Sequence, residues 1–340
     1  MRKQRQADKI AIAGWGAVSP AGWDCAGLMK AALGGDDMLA VSPERTLSVP
    51  PPPDGRMPRS PRLRRASPIS RFLIAAALDA MGDERVQALK SGDTRLDIIV
   101  NVLNGSTSYC ARFFSEVLND PSMASPIIFP ETVFNAPASH LAAVLGSTGL
   151  NETIVGDSAQ FVASLEAGIR RLTDRDCDGC LIVAAEEQHW VSSRGRKLYD
   201  RDVVTSEGSA AVYLEKSPAP EIELAAVTDP FFPGGGKGDR ETAIRKARAQ
   251  LGNASPEAVL IDGCHQFGPT SDGEKAAWSD WPGRRIHLKQ ILGDSMAASS
   301  AWSVVAGCEM LANHQAGECV ISAVGGNQQV LCTRIKRGDL

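Results

Sequence analysis

A chain of 340 residues, 43% of them hydrophobic, can bury a large core, and only 5% aromatics points to small-residue helices packed closely against sheets. The net charge of −4, with basic residues scattered or in short groups such as Arg62, Arg64 and Arg65, leaves no footprint for nucleic acid. No apolar run reaches the roughly eighteen residues that suggest a membrane span, and no secretory segment precedes Ile10.

In chain order, a polar start expected to fray, Met1 to Lys9, gives way to a strand at Ile10 to Ala13. Gly14-Trp15-Gly16-Ala17-Val18-Ser19-Pro20 then leads towards a helix over Asp24 to Leu33. Its spacing departs from G-x-G-x-x-G, and no acidic partner follows a second strand, so a dinucleotide site is not expected. Prolines at Pro50 to Pro53, Pro58 and Pro61 make Ser48 to Pro61 an exposed loop. Ile69 to Met81 reads as a strongly apolar helix, Asp97 to Leu103 as a buried strand and Phe113 to Leu118 as part of a helix. His140, beside Asn135-Ala136-Pro137, reads as a structural imidazole within a helix.

The organising stretch is Asn151 to Glu187. The β-branched run Thr153 to Val155 is broken by Gly156-Asp157-Ser158, and Phe161, Val162, Leu165, Ile169 and Leu172 recur at helical spacing before the strand Leu181 to Ala185. Ser158 therefore stands at the mouth of a buried helix, where unpaired amides and the helix dipole favour an anion. The eight cysteines lie singly except Cys177 and Cys180, a C-x-x-C pair with no second pair. Buried free thiols in a reducing cytoplasm are expected, with no metal site. Ser192 to Asp202 reads as a polar hinge, Glu207 to Glu215 as a strand opening the second half, and Phe231 to Gly238 as a flexible linker. Val259-Leu260-Ile261 is a buried strand ending at Asp262-Gly263-Cys264-His265. Ser295 to Leu311 is an alanine-rich helix, and Ile321 to Asn327 ends in a glycine loop.

These segments, in this order from Ile10 to Arg337, resemble the β-ketoacyl synthases, the thiolase-fold condensing enzymes of fatty-acid and polyketide synthesis. The match runs through Gly14-Trp15-Gly16 with Val18-Ser19-Pro20, Asn135-Ala136-Pro137-Ala138 with His140, Gly208 with Leu214-Glu215, Cys264-His265, Lys289 with Gly293, and Gly325-Gly326-Asn327. The resemblance implies two similar α/β halves, each with a five-stranded mixed sheet, in a five-layer αβαβα stack. The N-terminal half would cover residues 1–200 and the C-terminal half 201–340. It also implies no bound cofactor, substrates that are acyl groups tethered to phosphopantetheine on an acyl carrier protein, and pairing across a two-fold.

At the positions that carry the family's chemistry the sequence departs from its pattern. The nucleophilic cysteine aligns with Ser158, and Gln160 lies two residues on, in the pocket. His265 keeps the first histidine, but the arm-gripping threonines become Phe267, Gly268 and Pro269. Lys289 persists while the second histidine becomes Asp294. Val324, Gly325 and Gly326 stand for the gate and oxyanion loop, with Val324 smaller than the family phenylalanine. A cysteine at a helix N-terminus ionises near neutral pH, whereas a serine hydroxyl needs an adjacent base. An ionised Asp294 would repel a malonyl carboxylate and a nascent enolate.

The substitutions imply a non-condensing subunit, similar to chain-length factors, that pairs with an active ketosynthase and shapes acyl elongation. Such a subunit would form a heterodimer, with a homodimer as the isologous alternative. A second reading makes Ser158, His265 and Asp294 the nucleophile, base and orienting carboxylate of an acyltransferase or thioesterase. A third is an atypical but active 3-oxoacyl synthase.

Overall fold

The computed structural model describes residues 9–34, 46–58, 60–175, 177–236, 238–265, 269–326 and 329–338. Strand β1 (Lys9–Val18) is followed by α1 (Cys25–Gly34), the short β2 (Thr46–Leu47), α2 (Pro68–Ser91), β3 (Leu96–Val102), α3 (Thr107–Asn119) and α4 (Ala136–Leu145). Next come β4 (Asn151–Val155), α5 (Ser158–Asp174), β5 (Gly179–Glu186), α6 (Trp190–Tyr199), β6 (Thr205–Ser206), β7 (Gly208–Ser217) and β8 (Ile222–Val227). The chain closes with α7 (Asp239–Leu251), β9 (Val259–Asp262), α8 (Pro269–Ala277), β10 (Arg285–His287), α9 (Leu288–Leu292), α10 (Ala297–Ala312), β11 (Glu318–Val324) and β12 (Val330–Arg337).

Ten strands run in the order β10-β9-β11-β12-β8-β1-β7-β5-β3-β4. Between β1 and β8 the only register pair is Ala11 with Glu223, so the ladder consists of two five-stranded sheets touching at one bridge. Each sheet repeats one pattern. Beginning at β1 or β8, two antiparallel steps lead to β5 or β11, and two parallel steps follow. The expected pair of similar halves is therefore present.

The division at residue 200 needs correcting. Strand β7 lies between β1 and β5, so it completes the first sheet rather than opening the second. One of its two partners, β1, lies about two hundred residues upstream, which no local pattern records. The second half begins at β8.

Five layers follow from alternation along the strands. In β5, Ile182 and Ala184 face the core shared with α5 and α10, while Leu181, Val183 and Ala185 face α2 and α4. In β9, Val259 and Ile261 face the same central layer and Leu260 faces α7 and α8. Strands covered on both faces read as unbroken apolar runs. The paired glycines early in the chain are explained by packing. Methyl groups at Gly14 and Gly16 would collide with the carbonyl oxygens of Ala80 and Ala76, one turn apart on α2. Their spacing thus serves close strand–helix approach rather than phosphate binding.

Ser192 to Asp202 also differs from the expected hinge, because most of it lies in α6. Its N-cap is His189, and Arg196 and Lys197 occupy its last turn, where cations suit the helix dipole. Ser192, Ser193 and Gly195 weaken the sequence signal, and Ser193 alone of the helix is buried. No described helix is long and apolar enough to cross a membrane.

Candidate functional site

The inner ends of both sheets and the starts of both central helices converge on one cavity of about 780 Å³. Its polar floor includes Asp157, Ser158, His265, Lys289 and Asp294. Leu103, Phe134, Val155, Val191, Leu198, Tyr199 and Val324 supply much of its apolar wall. The volume suits a drug-sized or acyl-chain ligand.

Ser158 opens α5 as its first residue, with Asp157 as the N-cap, and is 5% exposed. Among the described residues its hydroxyl donates to the Met296 carbonyl at 2.9 Å and accepts from Lys289 Nζ at 3.2 Å. No hydrogen bond joins it to His265. The O–H proton is thus committed to a main-chain carbonyl, which is not a base, and one oxygen lone pair to an ammonium. Met296 has φ 48 and ψ −110, a conformation that a side-chain-bearing residue rarely adopts. Its Sδ accepts from Asn104 Nδ2 at 2.9 Å, and Asn104 is anchored to buried Glu186 at 3.1 Å. The strained turn is held by its neighbours, as such outliers at sites usually are.

His265 follows β9, whose end is secured by Asp262, with Arg285 at 2.8 Å and His287 at 2.7 Å. Asp262, Cys264 and His287 have donor atoms close enough to be a metal trio, but this carboxylate is already committed to Arg285 and His287. His265 donates its backbone N–H to Ser271 Oγ at 2.8 Å. Its Nε2 lies 3.4 Å from Asp294 Oδ2, without a directed hydrogen bond among the described residues. Burial first, and then Lys289, lower the imidazole's pKa, against the pull of Asp294.

Asp294 is 3% exposed. Its Oδ1 accepts from Met296 N at 2.9 Å and Ser299 Oγ at 3.0 Å and lies 3.4 Å from Lys289 Nζ. Its Oδ2 accepts from Arg196 Nη2 at 3.2 Å, a cation delivered by α6. Burial opposes the charge, yet Lys289, His265 and Arg196 outweigh it and hold the carboxyl well below the usual carboxylate range. The expected Ser158–His265–Asp294 relay is therefore incomplete. Asp294 meets His265, but at Nε2 and beside the cations Lys289 and Arg196, while Ser158 turns to Lys289 and Met296.

Two amides of the glycine loop that follows Val324 are engaged. Gly325 N donates to Gln329 O at 2.9 Å, and Gly326 N donates to Asp157 Oδ2 at 2.8 Å. Asp157 also accepts from Ala159 N at 3.2 Å, placing a carboxylate where a developing anion would need bare amides. Burial raises its pKa, partly offset by those two N–H donors. Arg240 from α7 fastens the loop by donating to Gly325 O at 2.7 Å and Gly326 O at 2.8 Å. Gln160, expected in the pocket, turns away and accepts from Gln329 Nε2 at 3.2 Å, since two positions along a helix point to nearly opposite sides. Phe267 lies outside the described residues. His140 has the expected structural role, with Nε2 2.9 Å from both oxygens of Glu131.

Sequence reasoning missed Asp157, Arg196, Met296 and Arg240. Asp157 was within reach, because it occupies the position where the resembling motif has alanine. Arg196 and Arg240 come from helices whose placement is non-local.

No family model matches this sequence, and no curated protein matches it. Among solved structures, the chain is similar to the ishigamide ketosynthase/chain length factor, at 16% identity and TM-score 0.82, covering 97% of this chain and 99% of that one. It is similar to a ketosynthase in complex with its chain length factor from Xenorhabdus doucetiae, at 15% identity and TM-score 0.76, covering 99% and 100%. It is also similar to a β-ketoacyl synthase from Burkholderia phymatum STM815, at 15% identity and TM-score 0.75, covering 97% and 99%. At these identities the likeness establishes the fold.

Proposed function

We propose that this chain is a non-condensing ketosynthase-like subunit of the chain-length-factor type, which pairs with an active ketosynthase and shapes an acyl chain carried on an acyl carrier protein. The carrying observation is the Ser158 hydroxyl, which donates to the Met296 carbonyl and accepts from Lys289 Nζ, with neither His265 nor a carboxylate hydrogen-bonded to it among the described residues. A nucleophile needs its proton removed as it attacks. The carboxylate of Asp157 beside it further disfavours a tetrahedral oxyanion. The same geometry weighs against both the serine acyltransferase and the active synthase.

The surface supports a partner. Strand β4 is a sheet edge, with Val155 half exposed, and α3 has no buried residue while presenting Phe114 and Leu118 to solvent. Met123, Ile127 and Phe129 continue this apolar area, and Leu198 and Tyr199 of α6 are likewise exposed. An unpaired edge and apolar side chains of this extent are what an interface covers. A cytoplasmic setting accords with the eight free cysteines.

Mixing the purified chain with candidate active ketosynthases and measuring molar mass by light scattering tests the proposal. A one-to-one complex that changes the length of the ketosynthase's products supports it, and an inert mixture across such partners contradicts it. Leu118→Glu, on a helix without buried residues, is expected to weaken pairing at least about tenfold while leaving the circular dichroism unchanged.

A further inference from the structure

The floor of the cavity holds a carboxylate that accepts three hydrogen bonds and faces two further nitrogens. Asp294 faces Lys289 Nζ at 3.4 Å, Arg196 Nη2 at 3.2 Å and His265 Nε2 at 3.4 Å, and it also receives Met296 N and Ser299 Oγ. The three cationic or ionisable partners come from α9, α6 and the loop after β9, so no single local turn explains their meeting. All three line the cavity, as does Asp294 itself. A guanidinium, an ammonium and an imidazole converging on one point make an anion receptor in chemical terms. Here the receptor's occupant is tethered to the head of α10.

We infer that Lys289, Arg196 and His265 form a carboxylate-binding subsite that the chain fills with its own Asp294 side chain, so that the cavity refuses acyl units ending in a free carboxylate and admits neutral ones. The selectivity part of this inference rests on the acyl-site reading of the cavity. The subsite itself does not, and can be tested without any partner protein. An incoming carboxylate meets a like charge, and the donors it would need are occupied. Neutral chains need no such donors and can pack on the apolar wall of Leu103, Phe134, Val155, Val191 and Leu198.

The test removes the tethered anion and offers a free one. Thermal unfolding of the wild type, Asp294→Ala and Asp294→Ala/Arg196→Gln is followed in sodium formate or disodium malonate, each against sodium chloride of equal ionic strength. Formate and malonate are expected to raise the midpoint of Asp294→Ala by several degrees beyond chloride. The wild type and the double variant should show no such excess, and direct titration should give Asp294→Ala at least tenfold tighter formate binding than the wild type. Equal responses in wild type and Asp294→Ala, or none in Asp294→Ala, would overturn the inference. Should Asp294→Ala fail to fold alone, its refolding yield with and without formate carries the same comparison. Recovery in formate but not chloride supports the subsite, and no recovery while Asp294→Asn folds normally contradicts it. Failure of the pairing experiment would leave these readings untouched, so the two claims fail separately.

Discussion

Asp294→Ala is expected to lower the free energy of unfolding by about 3–5 kcal/mol, the range for removing one partner from a buried ion pair. The loss is large because buried Lys289 and half-buried Arg196 would lose this counter-charge, and the Met296 N–H and Ser299 hydroxyl would lose their acceptor. Asp294→Asn keeps an oxygen for those two donors and should cost less. The sign of the pH dependence follows from the depressed carboxyl. A group whose folded pKa lies below its unfolded value contributes stability above the ordinary carboxylate range and loses it as pH falls through the folded value. Urea denaturation at a series of pH values should therefore show the widest gap between wild type and Asp294→Ala near neutrality, narrowing on acidification. A gap that widens in acid would contradict the ion cluster.

Trp302→Ala should cost a comparable amount, about 3–5 kcal/mol, as for other fully buried aromatic truncations. Trp302 lies mid-way along α10, the central helix packed against α5, and its side chain is entirely buried. Its indole N–H is shared between the Val18 carbonyl at 3.0 Å and the Ser209 carbonyl at 3.1 Å. The ring thus ties the end of β1 to the start of β7, and Gly208 has no room for a side chain against it. Trp302→Phe fills part of the space but leaves both carbonyls without that donor, so about 1–3 kcal/mol is expected for it. Chemical denaturation followed by far-ultraviolet circular dichroism checks both. A loss under 1 kcal/mol for the alanine variant would mean that the two halves are not cross-braced at this residue.

Much of this architecture was legible because strands buried on both faces, such as Leu181 to Ala185 and Val259 to Ile261, write themselves as continuous apolar runs between glycine-rich breaks. The elbow at Gly156-Asp157-Ser158 was legible for the same reason, as were the positions of His265, Lys289 and Asp294 at the ends of recognisable elements. What could not be read was pairing over distance. Strand β7 has an ordinary apolar pattern that suits either sheet, and only its ladders with β1 and β5 assign it. The chemistry of the site turns on such distances too. Arg196 reaches Asp294 across 98 positions of sequence, and Lys289 reaches Ser158 across 131. A polar segment with serines and a glycine reads as a hinge until a helix is seen to carry one cation into a buried cluster. The triad idea was chemically well formed, since the three residue types do converge. Their orientation, with Ser158 bonded to Met296 and Lys289, is what residue types do not encode.

The most direct test of an inert Ser158 is the intact mass of the purified chain after incubation with acyl groups on phosphopantetheine arms, beside Ser158→Ala and an active ketosynthase as control. The geometry at Met296 and Lys289 predicts no acyl increment on this chain over hours while the control is labelled. A mass gain equal to the acyl group, present in the wild type and absent in Ser158→Ala, would show that Ser158 is a working nucleophile and contradict the non-condensing account.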